Sequence, residues 1–177
     1  GLVVFAAGNE SFSTSSYPAA HRDYISVSAM SSDFTAAYYT NYGPGVNVCA
    51  PGGDAYYGTF LTISSVSTTE KDGYEYMQGT SMACPHVSGL AALIVSEFGK
   101  EGFTSADLRR IIEESCDPSI YIANPSMEGK LGRGMIDVVR AIASFSEVAP
   151  DAVEEHSYQI KSNSILLDVR VPQDRDD

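Results

Sequence analysis

The 177-residue sequence predicts an α/β fold built on a mostly parallel sheet, and two stretches carry that reading. Residues 2–6, LVVFA, form an apolar, β-branched run without polar alternation, the mark of a strand buried on both faces and typically parallel to its neighbours. Residues 81–98 change to helical spacing. Met82, Val87, Leu90, Ala91, Leu93, Ile94 and Val95 are apolar through most of the circumference, and a helix of that kind belongs in a core.

The remaining elements follow in chain order. Ala7-Gly8-Asn9-Glu10 and the Ser/Thr-rich stretch 11–16 read as a loop at the C-terminal end of the first strand. Residues 24–30 (YISVSAM) read as a second strand, 41–45 (NYGPG) as a turn, 46–50 (VNVCA) as a short alternating strand and 51–54 (PGGD) as a further turn. Residues 55–77 are rich in Tyr, Ser and Thr and read as a long surface excursion, a length that loops reserve for function or flexibility.

In the helix over 81–98, the small Ala83, Ser88, Gly89, Ala91 and Ala92 let other elements approach closely. Pro85 falls in its first turn, where a missing N–H costs little, and Gly99 stops it. Thr104 opens T-S-A-D, a capping-box-like start with Asp107 in place of Glu. The helix that follows has Leu108, Ile111 and Ile112 on one face and ends near Cys116. Gly132-Arg133-Gly134 is a tight turn, and Asp137 caps a last short helix running to about Phe145. Beyond Pro150 the composition turns polar before 164–171 (SILLDVRV) reads as a strand. The expected organisation is one domain over 1–147 and a linker with a strand-forming tail over 148–177, the start of, or a substitute for, a following β module.

A formal charge of −12 repels nucleic acid and anionic membrane surfaces, so neither is an expected partner. Three cysteines, Cys49, Cys84 and Cys116, are odd in number and form no C-x-x-C pair, so no disulfide framework is predicted. No run approaches the roughly 18 apolar residues of a bilayer crossing, and no membrane span is expected. A parallel strand at the very start needs neighbours and a crossover connection. The chain therefore reads as a processed or excised part of a longer protein, cut just before a core strand. Its unpaired sheet edge and exposed apolar face favour self-association.

The stretch 78–89, QGTSMACPHVSG, places Ser81 after a turn-forming Gly79 and at the start of a helix. A nucleophilic serine needs a base within reach of Oγ and donors aimed at the developing oxyanion. Gly79 permits the sharp turn, and the helix start directs N–H groups and the positive dipole end at the same place. His86 is a poor base: five residues along a helix is a rotation of roughly 500°, about 140° away on the wheel, with about 7.5 Å of rise. It reads as a packed or hydrogen-bonding histidine of the helix. His21 lies in a loop and His156 in the polar tail, so the base of Ser81 is expected outside this chain.

The run GTSMACPHVSG at 79–89 closely resembles the serine motif of the subtilisin-like serine proteases, the subtilases. Ala6 to Asn9, AAGN, resembles the oxyanion-hole segment of that family. Tyr17-Pro18, the strand Ile25 to Ala29, Tyr42-Gly43-Pro44, Val48-Cys49-Ala50-Pro51-Gly52 and the run Gly132 to Asp137 resemble its landmarks in their usual order. The resemblance implies a three-layer subtilisin-like α/β fold of which this chain is the C-terminal half, with Ser81 as nucleophile and Asn9 as oxyanion donor beside the Ser81 N–H. It also implies Ala6, Gly8 and Glu10 as substrate-binding residues, with the Glu10 carboxylate either favouring a basic substrate side chain or simply solvated.

The family's Asp and His motifs, D-[ST]-G and H-G-T-H, do not occur here. The parent protein is therefore expected to be a serine endopeptidase that forms an acyl-enzyme on Ser81, and the isolated chain to be inactive. Its implied partners are a polypeptide substrate and the N-terminal half of the catalytic domain, and its implied location is secreted or cell-envelope.

No cofactor is required and no metal site is predicted. Asp33, Asp54 and Glu70 suggest calcium, but Gly45 and Asn47 stand where some relatives place acidic ligands. Cys84 reads as a small inert packing residue. A noncatalytic, subtilase-derived interaction module is the rival reading. A third, an anion loop at 51–54, lacks the strand and G-x-G-x-x-G spacing of a nucleotide site.

Overall fold

Three parallel strands, β1 (Val4–Ala6), β2 (Ile25–Met30) and β3 (Val48–Pro51), lie in the order β1-β2-β3. Their register pairs Val4 with Ile25 and Val27 with Val48. The computed structural model describes residues 1–57, 63–66, 73–143, 155–161 and 164–170. The chain divides into two compact units, Gly1–Phe145 and Ser146–Asp177.

All six residues of the central strand β2 are buried because both its edges are paired and both its faces are covered. Its Ile25, Val27 and Ala29, with Val48 and Ala50 of β3, meet Ala83, Val87, Leu90 and Ile94 of helix α1 (Thr80–Phe98). Leu108, Ile111 and Ile112 of α2 (Ser105–Glu114) and Ala141 of α4 (Val138–Ala143) complete that cluster. A second cluster joins Met30 and Cys49 to Leu131 and to Ile120 of α3 (Ile120–Ala123). The fold is thus α/β with a parallel sheet, as the sequence predicts. Each buried Val, Leu or Ile contributes about 1.5–3 kcal/mol of transfer free energy.

The capping box forms: Thr104 Oγ1 accepts from the Asp107 N–H while the Asp107 side chain accepts from the Thr104 N–H. Asp137 caps α4, accepting from the Arg140 N–H at 2.9 Å.

Several expectations need correction. β1 is half-buried, because it is an edge strand with a described neighbour on one side only. β3 starts at Val48 and is buried rather than alternating, since α1 covers one face and the Met135 segment pairs beyond it. The excursion over 55–77 contains a 3-10 turn at Ala55–Tyr57 and an antiparallel pair, β4 (Ile63–Val66) and β5 (Tyr74–Met77).

α1 buries one face alone: Leu93 is 51% and Val95 45% exposed, because among the described residues cover comes from the sheet side. Pro85 is the sixth residue of α1, so the N–H it lacks would have reached the Ser81 carbonyl. At 19 residues α1 is long and apolar enough, by length and composition alone, to cross a bilayer, although its buried face packs on the sheet. The Gly52 and Gly53 N–H groups both donate to the Met30 carbonyl, which leaves 51–54 no anion cradle of its own.

In the second unit, β6 (Glu155–Lys161) and β7 (Ser164–Arg170) form an antiparallel hairpin in which Glu155 pairs with Arg170. β6 falls where the sequence reads as polar linker, and Val171, the last residue of the expected strand, lies outside the described residues.

Candidate functional site

The loop that follows β1 and the N-terminus of α1 meet at Asn9 and Thr80. Thr80 is buried and donates both its backbone N–H (2.9 Å) and its hydroxyl (2.8 Å) to Asn9 Oδ1. Its hydroxyl oxygen accepts in turn from the Gly8 N–H at 3.3 Å. Asn9 Oδ1 is therefore fully engaged, and its Nδ2 is aimed elsewhere.

Gly79, with φ of 147°, precedes Thr80 in a backbone region that suits glycine. A side-chain carbon at that position would lie 3.5 Å from Asn9 Nδ2 and 3.6 Å from the Ser81 backbone nitrogen. Two N–H donors thus flank one small volume at the positive end of a 19-residue helix. Among the described residues, neither the Ser81 N–H nor its hydroxyl has a hydrogen-bond partner, and Ser81 is exposed. Such a volume can receive a developing oxyanion beside an accessible hydroxyl.

Gly79 is tied to the buried Tyr39 through Gly52. Tyr39 is buried and donates to the Gly52 and Gly53 carbonyls (3.0 and 2.6 Å), and the Gly52 carbonyl accepts from the Gly79 N–H at 2.9 Å. Burial holds the Tyr39 phenol well above its ordinary pKa, so it remains a neutral donor. Gln78, three residues before Ser81, donates through Nε2 to the Tyr38 hydroxyl at 3.0 Å.

On the other flank Glu10 is exposed, and its Oε2 accepts from Asn41 Nδ2 at 2.8 Å. Ala6 is half-buried at the end of β1. Gly8 adopts φ of 110°, and a Cβ there would collide with Glu10 Oε2 and Ser16 Oγ at 2.6 and 2.7 Å. Ala6, Gly8, Asn9 and Glu10 thus lie on one continuous segment, and Thr80 links it to Ser81.

His86 is exposed and its Nδ1 lies 2.8 Å from the Met82 carbonyl, on its own helix. His21 stacks near Tyr24 and lies 3.8 Å from Asp23, and the His156 side chain lies outside the described residues, as does Glu70. Cys84 is half-buried, and that burial raises its thiol pKa.

Asp33 is exposed and accepts from Thr35, while Asp54 is buried and accepts from the Tyr38 and Tyr56 N–H groups. Asn47 accepts from the Ser26 N–H and donates to Glu113. Among the described residues no three His, Cys, Asp or Glu side chains are placed to hold a metal ion.

Sequence reasoning passed over Thr80, Tyr39 and Asn41 as parts of the site. A threonine directly before the serine carried a signal, since a hydroxyl at a helix start seeks a local partner. Tyr39 and Asn41 act through contacts 13 to 34 residues away, which no local pattern encodes.

The subtilase family model matches residues 1–139. A thermophilic serine proteinase from Bacillus sp. (strain AK1) is 41% identical over 116 residues, 66% of this chain and 25% of that protein. Halolysin from Haloferax mediterranei is 36% identical over 143 residues, 81% of this chain and 24% of that protein. Among solved structures, a protease from Pseudoalteromonas arctica superposes with a TM-score of 0.68 at 31% identity, covering 82% of this chain and 43% of the other. The chain spans about a quarter of the length of these two curated relatives.

Proposed function

The chain belongs to the subtilase family, and from that premise we propose that it carries the nucleophile and oxyanion hole of a serine endopeptidase. Ser81 Oγ attacks the carbonyl carbon of a peptide bond and yields its proton to an imidazole base supplied from outside these residues. The carbonyl oxygen becomes an oxyanion, received by Asn9 Nδ2 and the Ser81 N–H. Collapse expels the amine, which takes up the proton, and water then releases the acyl group from Ser81. The observation that carries this reading is the pair of donors flanking the space at Gly79.

Removal of one such donor typically costs about 10²–10³ in kcat. A triad reduced to its serine retains about 10³–10⁴ over water in the subtilisin-type case, so the isolated chain is inactive on this reading. Its partners are the polypeptide substrate and the part of the catalytic domain that bears Asp and His, whose docking would cover the exposed face of α1. No cofactor is required, the −12 charge disfavours nucleic acid, and the location is secreted or cell-envelope.

The test compares the full-length protein and its Ser81→Ala variant for hydrolysis of an unfolded protein substrate. Turnover that depends on Ser81 supports the reading. Absence of turnover in the full-length protein favours instead an interaction module, for which the α1 face and the β1 edge that stay uncovered among the described residues speak.

A further inference from the structure

Asn41 has no exposed surface and makes more side-chain hydrogen bonds than a buried turn residue needs. Its Oδ1 accepts from the Glu10 N–H (3.1 Å) and the Phe12 N–H (2.9 Å). Three acceptors surround its Nδ2, the Ala7 carbonyl (3.0 Å), Ser16 Oγ (3.0 Å) and Glu10 Oε2 (2.8 Å), and share its two hydrogens. Its backbone N–H donates to the Gly8 carbonyl at 3.0 Å. The two backbone donors on Oδ1 fix which way the amide faces, since a flip would set NH₂ against N–H and oxygen against carboxylate.

We propose that Asn41 is a positioning residue that holds the Glu10 carboxylate in place and thereby sets a preference for a cationic substrate side chain. This rests on the proposed function and on the reading, implied by the subtilase resemblance, of Glu10 as a substrate-facing acid. Glu10 is an exposed side chain with several rotatable bonds, and nothing in its own segment would fix it. The Asn41 amide anchors Oε2, while Oε1 has no partner among the described residues and stays available to accept from a cation. Gly8 supports the arrangement, because the glycine leaves open the space on which the Glu10, Ser16 and Asn41 polar groups converge. A charge-assisted bond to a fixed carboxylate is stronger and more directional than one to a solvated, mobile one.

The test titrates benzamidine, a planar cation, and benzamide, its neutral counterpart, into the full-length protein followed by NMR. The wild type is expected to prefer the cation by about tenfold, and Glu10→Gln to lose that preference. Asn41→Asp and Asn41→Leu are expected to lose it as well while binding benzamide as before, whereas a merely structural residue would move both ligands together. As a check that needs no change in the buried residue, the Asn41 side-chain amide resonance is expected to shift in Glu10→Gln.

If the Asn41 variants keep the wild-type preference while Glu10→Gln loses it, or if that resonance does not shift, the role of Asn41 is overturned and Glu10 stands. If Glu10→Gln keeps the preference, or the wild type has none, the Glu10 reading falls and this inference with it. None of these outcomes depends on turnover at Ser81.

Discussion

Thr80 donates its backbone N–H and its hydroxyl to the same atom, Asn9 Oδ1. With both donors on the oxygen, the Asn9 NH₂ group cannot rotate away from the Ser81 N–H without leaving two buried donors unpaired, a cost of about 1–3 kcal/mol each. Thr80→Val keeps the shape and the N–H but deletes the hydroxyl. On the proposed function, in the full-length protein it is expected to lower kcat about tenfold with KM little changed, the worth of one hydrogen bond near 1.4 kcal/mol. Asn9→Ala should cost about 10²–10³ in the same constant. A Thr80→Val enzyme with wild-type kcat would show that the hydroxyl does not orient Asn9.

Local patterns made the three parallel strands, β7, α1, the capping box at Thr104 and Asp107 and the Asp137 cap legible in the sequence, because periodicity and end signals are properties of neighbouring residues, whereas β4, β5 and β6 fall in stretches that read as loop or linker. The serine motif was legible for the same reason: Gly79, Thr80 and Ser81 are contiguous. What stayed hidden was tertiary. The exposed face of α1 has the composition of a buried one, and only packing decides which apolar side is covered. The link between Asn9 and Thr80 spans 71 residues, and that between Asn41 and Ala7 spans 34.

The one-sided burial of α1 gives a contrast between adjacent residues. Ile94 is fully buried against the sheet, whereas Leu93 is 51% exposed. In the isolated chain Ile94→Ala should cost about 2–5 kcal/mol and Leu93→Ala no more than about 0.5, read from urea unfolding. In the full-length protein the Leu93 cost should rise if the rest of the domain packs on that face. Equal costs for Leu93→Ala in the two proteins would argue against such docking.

Reactivity of the three cysteines should separate them. Cys49 and Cys116 are buried, and desolvation pushes both thiols up to about 12. At pH 8 their thiolate fraction is near 10⁻⁴, and the thiolate is the reactive form. Cys84, half-buried on α1, is also raised by burial but is more accessible. A disulfide reagent at pH 8 is expected to titrate Cys84 in the native chain and all three thiols in guanidinium. Three equal rates without denaturant would contradict the burial of β3 and of the Cys116 turn.

The capping box should leave a signature in acid. Thr104 donates its hydroxyl at 2.6 Å and its N–H at 3.0 Å to Asp107 Oδ2, and these two bonds, the hydroxyl first, hold the Asp107 carboxyl below its ordinary value of 3.8. The unfolded chain therefore takes up the proton before the folded one does. The contribution of Asp107 is present in full above its unfolded pKa and is lost as pH falls through the folded value. Asp33 and Asp117, lowered by hydrogen bonds from Thr35 and Ser119, act in the same direction, so the acid limb is shared. Asp107→Asn cannot titrate, and its stability deficit against the wild type is expected to be largest at pH 7 and to shrink by pH 3. Urea midpoints at the two pH values measure that difference, and an unchanged deficit would mean that the carboxylate does not gain from the Thr104 cap.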